Sequence, residues 1–93
     1  MFRPDLDTRC EALFASDLQP SQHLLPQQIR TTVLRMIRLA GTQDCAARVA
    51  QEFGDHPDTA VPRMRWARDA VSRAYADVAA ELSTRTGITR TAT

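Results

Sequence analysis

The sequence predicts an all-α domain of four helices, and three observations carry that reading. The hydrophobic share is ordinary at 43%, but much of it is alanine, which favours helix and close helix packing. Three glycines and five prolines leave long stretches free of breakers. Few runs combine β-branched and aromatic residues as strands do, and the aromatics amount to three Phe, one Trp and one Tyr.

The first helix is expected over about 4–18, because Leu6, Cys10, Leu13, Phe14 and Leu18 recur on one helical face. Pro4 suits a first turn, and Asp5, Asp7 and Glu11 suit the positive end of the helix dipole. Residues 19–26, QPSQHLLP, read as a polar connector bracketed by Pro20 and Pro26. A second helix over about 27–40 carries Ile29, Val33, Met36, Ile37 and Ala40 at helical spacing until Gly41 stops it. Arg30, Arg35 and Arg38 lie off that stripe and are expected in solvent.

The third helix is expected over about 43–53, capped by Thr42, with Asp44 in its first turn and Cys45, Ala46, Val49, Ala50 and Phe53 on a narrow apolar face. Gly54 then supplies a left-handed stop and GDHPD a loop. With Asp58 or Thr59 as cap, the fourth helix runs over about 60–83, Pro62 falls in its first turn, and its stripe is Val61, Met64, Ala67, Val71, Ala74, Tyr75, Val78 and Leu82. Residues 1–83 are expected as a single domain, and 84–93, lacking periodicity, as a flexible tail.

A 93-residue chain is a single small domain that buries roughly 60 to 65% of the surface its unfolded form exposes. All twelve basic residues are arginine, whose planar fork suits phosphate, carboxylate or aromatic faces. Against eleven acids the net charge is +1, so a nucleic-acid surface would have to come from uneven distribution. No apolar run approaches a membrane span and MFRPDLDTR lacks a signal-peptide pattern, which predicts a cytoplasmic protein with no membrane partner. Cys10 and Cys45 fit buried reduced thiols better than a disulfide.

No HxxxH, CxxC, phosphate-cradling glycine loop or serine elbow occurs, so an enzyme, a metal, a cofactor and a small-molecule substrate are not expected. Asp55, His56 and Asp58 read as turn and cap residues ahead of ligands. Arg63, Arg65, Arg68 and Arg73 form the dense basic segment. It is either a phosphate-gripping patch or a solvated face with local pairs such as Arg65 to Asp69 and Arg73 to Asp77. Trp66 lies well over a right angle from the centre of the Met64–Val71–Val78 stripe. It is therefore either covered by the first helix or an exposed anchor for a partner.

From Ala50 through Val71, AQEFGDHPDTAVPRMRWARDAV is similar in register to the helix-turn-helix of sigma factor region 4. The pattern falls on Gly54, Thr59, Arg63, Met64, Ala67, Arg68, Asp69, Ala70 and Val71, and the leading Leu25-Pro26 and the helix ending at Gly41 also fit it. The whole chain is likewise similar to small proteins of high-GC Gram-positive bacteria that share the phrase EFGDHP-TA-RMRWA, a likeness that implies no activity. The sigma-like resemblance implies a helix-turn-helix-like unit in the last three helices and a small DNA-binding or transcription-associated regulator. Thr59, Arg63, Arg65, Trp66, Arg68 and Arg73 would then meet duplex DNA or a partner. The alternative is a non-enzymatic protein-interaction module, one form of which is a homodimer through the last helix around Trp66. It is motivated by the near-zero net charge and by Val61-Pro62, which cannot hydrogen-bond a base edge, at the base-reading positions.

Overall fold

The computed structural model describes residues 5–86, with side chains as far as residue 76. Four helices follow one another, α1 (Leu6–Ala15), α2 (Pro26–Leu39), α3 (Thr42–Asp55) and α4 (Pro57–Thr86), with no strand among the described residues. The all-α, four-helix architecture is as the sequence predicts. Among the described residues no helix is long and apolar enough to cross a membrane.

α1 is the centre of the bundle. It touches each of the other three helices, whereas α2 and α3 barely meet. It buries Cys10, Ala12, Leu13 and Phe14, and α4 answers with Ala60, Ala67, Ala70, Val71 and Ala74. Alanine along α4 leaves room for a neighbouring helix to approach closely, so this face packs through small side chains where a larger core would use leucine. The buried line of α4 therefore lies one step round from the stripe read off its larger residues: Val61 is exposed, while Ala60 and Ala70 are buried.

Several boundaries differ from expectation for identifiable reasons. α1 is shorter at both ends. Asp5 caps its start by accepting the Thr8 N–H (2.8 Å), and Ser16 ends it by donating both its N–H and its hydroxyl to the Leu13 carbonyl. The expected role of Pro4 lies outside the described residues. α2 begins at Pro26 itself, and the Gln28 side chain accepts the Leu25 N–H, which is half of a capping box because Leu25 has no polar side chain to return.

Gly41 stops α2 as expected, at φ 88°, with its N–H donating to the Ile37 carbonyl (3.0 Å). It also starts α3, so Thr42 is the first helical residue and not a cap. Gly54, by contrast, is no left-handed stop. Its φ is not positive and α3 runs through it to Asp55. What breaks the chain there is Pro57, which disfavours helical backbone at the preceding residue, and His56 is extended away from helix at φ −140°, ψ 63°.

The expected GDHPD loop is thus a single residue, His56, and α4 starts at Pro57 without Thr59 as its cap. Thr59 lies in the first turn, its N–H and hydroxyl both donating to the His56 carbonyl. This earlier start moves Pro62 from the first turn into the helix interior, where its missing N–H deprives the Asp58 carbonyl of the usual i+4 partner. α4 continues past the expected end at 83 to Thr86, and the remainder of the expected tail lies outside the described residues. Val78 and Leu82 fall where side chains are not described.

Candidate partner-binding groove

The basic segment of α4 divides into residues that hold the fold and residues that face outward. Arg63 holds the fold. Its Nε donates to the Phe14 carbonyl (2.9 Å) and its Nη2 to the Ser16 carbonyl (2.8 Å), so it closes the C-terminal end of α1 from a different helix. The last carbonyls of a helix lack partners within it and carry the negative end of its dipole, which makes a guanidinium a favourable cap. Leu13 is served by Ser16 and Phe14 by Arg63.

The same guanidinium lies between two rings, 5.6 Å from the centre of Phe14 and 5.0 Å from that of Trp66. Phe14 in turn stacks on Phe53 at 6.0 Å. A row of Phe53, Phe14, Arg63 and Trp66 thereby joins α3, α1 and α4. Burial lowers the pKa of Arg63 from its ordinary value; nearby Glu52 opposes that shift and Arg48 adds to it. The side chain stays charged, since an arginine does not deprotonate in a protein.

Two more arginines are drawn inward. Arg9 lies over the Tyr75 ring at 4.1 Å. Arg30, expected in solvent, instead is half-buried with Nη1 donating to the Ala74 carbonyl (2.6 Å), because α2 lays that flank against α4. Burial pushes the Tyr75 hydroxyl up, against the opposing charges of Arg9 and Arg30.

The remaining basic residues lie on two flanks of α4. Helical geometry turns about 100° per residue, which sets Arg65 and Arg68 on one side and Trp66 and Arg73 on another. Arg68 pairs with Asp7 of α1 (3.2 Å), an exposed link. Arg73 pairs with Asp69, which leaves the expected Arg65–Asp69 pair unmade, while the expected pairing with Asp77 falls where side chains are not described. Arg65 is exposed and in no ion pair among the described residues. The six residues singled out in the sequence therefore do not form one surface.

Trp66 meets neither of its two expected descriptions in full. It is half-buried against the core, with its flank forming a wall of a surface groove of about 470 Å³. The opposite wall comes from the connector and the start of α2, chiefly Leu24, Leu25 and Ile29, and α1 does not line it. Leu25 is 63% exposed at the rim and Arg73 stands at the α4 edge. Sequence reasoning missed the connector's part in this groove. The signal was the Leu24-Leu25 pair, two large apolar residues in a segment otherwise built of loop formers.

Cys10 and Cys45 are free and buried as expected, and burial raises both thiols, which disfavours the reactive thiolate. Among the described residues no three His, Cys, Asp or Glu side chains gather as a metal site, and Asp55, His56 and Asp58 are exposed at the α3–α4 junction. Comparison with protein-family models, with curated proteins and with solved structures finds no match for this chain.

Proposed function

We propose that this chain is a non-enzymatic protein-interaction module whose binding surface is the groove beside Trp66. One observation carries the reading: the chain's single tryptophan is placed at the wall of an open apolar groove, with an arginine at the edge. Tryptophan and arginine are the side chains most enriched where binding energy concentrates, because each offers large contact area with a polar or charged handle. The test is affinity capture followed by mass spectrometry, comparing wild type with Trp66→Ala, Leu25→Asp and Arg65→Ala/Arg68→Ala. Partners should fall away at least tenfold in the first two variants and persist in the third. An identical set of captured proteins in all four sinks the reading. Light scattering on the same samples reads whether a second copy is itself the partner.

A second reading is supported by the other flank of α4, where Arg65 and Arg68 stand exposed. It is the DNA-binding regulator implied by the sigma-like register, with these two arginines on phosphates. It requires binding to duplex DNA that weakens steeply with salt and is lost in Arg65→Ala/Arg68→Ala. Arg63 is left out of that test, since its removal would disturb α1.

A further inference from the structure

The groove beside Trp66 has a chemical asymmetry. Its lining is mainly apolar, with Leu24, Ile29, Trp66, Ala70 and Ala74, and among the described residues no acidic side chain lines it. Among the described residues its ionisable lining side chains are His23 and Arg73, both of basic type. Behind the floor, Arg30 delivers a second guanidinium onto the Ala74 carbonyl. Arg73 is largely exposed and spends one terminal nitrogen, Nη2, on Asp69. A guanidinium carries five N–H donors in a fixed fork, so the pairing through Nη2 leaves donors able to receive another carboxylate.

We propose that the groove docks a segment of a partner protein in which a large apolar side chain stands beside an acidic one. The apolar side chain enters between Trp66 and Ile29, and the carboxylate meets Arg73 at the edge. This rests on the interaction-module reading and adds the chemistry of the partner to it. Apolar contact in the groove supplies the greater part of the affinity, because the Arg73 edge is solvated and a rim charge acts mainly on selectivity and association rate. The open form of the groove suits a chain laid along it better than an enclosed small molecule.

The experiment uses the full chain as bait for a displayed library of random twelve-residue peptides, followed by fluorescence titration of the selected peptides as synthetic compounds. Trp66 is the only tryptophan, so with tryptophan-free peptides its emission reports occupancy directly. The expected selection pairs Leu or Phe with Asp or Glu a few residues away. Changing that acid to Gln should weaken binding about fivefold at low salt, the upper end for an exposed ion pair. In Arg73→Glu, whose melting curve checks that the fold is kept, the preference should reverse toward Lys or Arg at the same peptide position.

The other outcomes are distinct. Apolar peptides selected without an acid, or an acidic preference unchanged in Arg73→Glu, overturn the carboxylate assignment while the groove remains a protein-binding site. Peptides that bind Trp66→Ala as well as wild type, or no selected peptide at all, overturn both this assignment and the groove as the module's binding surface. A doubled mass in light scattering that Leu25→Asp abolishes identifies a second copy as the occupant and overturns the assignment to a different partner.

Discussion

Arg63 reaches back to a carbonyl 49 residues earlier in the chain and makes a side chain of α4 part of the ending of α1. Its value lies in serving two carbonyls that α1 cannot serve itself while filling the space between Phe14 and Trp66. Truncation removes both, leaving two carbonyls in a half-buried setting without partners, at a cost of about 2–3 kcal/mol. For a domain of this size that corresponds to a fall in melting temperature on the order of 10–20 °C. Arg63→Ala should show it in thermal denaturation, with Arg63→Lys in between, since an ammonium cannot span both carbonyls as the fork does. An unchanged melting temperature in Arg63→Ala would remove Arg63 from the scaffold and return it to the exposed basic set. The sequence could show that an arginine stood at this place, but the partners are backbone atoms of a distant helix end, and no side-chain pattern announces those.

At the scale of the helix, two glycines that look alike in sequence behave oppositely. Gly41 turns the chain at positive φ between α2 and α3, where a Cβ would be strained even though no atom lies within 4 Å of it. Gly54 sits within the last turn of α3 with equal open space and ordinary helical backbone. Gly41→Ala should therefore destabilise by about 1–2 kcal/mol. Gly54→Ala should stabilise by about 0.5–1 kcal/mol, because alanine restricts the unfolded chain and suits the helix. Urea denaturation of both variants measures the signs directly, and a loss of stability in Gly54→Ala would show that the helix does not continue through that residue. The helices themselves were legible from periodicity, as Ile29 and Val33 or Cys10, Leu13 and Phe14 show by being buried where expected. The ends were less legible because different residues can stop a helix. At the α3–α4 junction the sequence offered Gly54, Pro57, Asp58 and Thr59 within six positions, and the restraint of Pro57 on His56 decided it. The groove was half legible: Trp66 was visibly out of place on its helix, whereas the wall opposite it comes from a connector with no periodicity to place it.

Across the whole molecule burial is uneven, and that sets an order in which parts should open. Among the described residues α1 and α4 share most of those buried, while α3 lies close against α1 yet buries only Cys45 completely. Val49 and Phe53 are only partly covered, and a cleft of about 320 Å³ opens beside Cys45 between α2 and α3. Local opening draws on regions with few buried apolar contacts, so α3 should detach at a lower free energy than the α1–α4 pair separates. The two thiols report on this from opposite sides, Cys10 within α1 and Cys45 within α3, both free and both essentially without solvent exposure. Since burial raises both, neither has an activated thiolate in the closed state, and a difference in alkylation rate reflects how often each site opens. In single-cysteine variants, Cys10→Ala and Cys45→Ala, the thiol at Cys45 should react at least tenfold faster than that at Cys10, a gap of about 1.4 kcal/mol in opening free energy. Its rate should also rise less steeply with urea, because less surface is exposed when one helix leaves than when the whole bundle unfolds. Equal rates with equal urea dependence would mean that α3 opens only with the rest, and that the row from Phe53 through Phe14 and Arg63 to Trp66 ties it to the bundle more firmly than its own burial does.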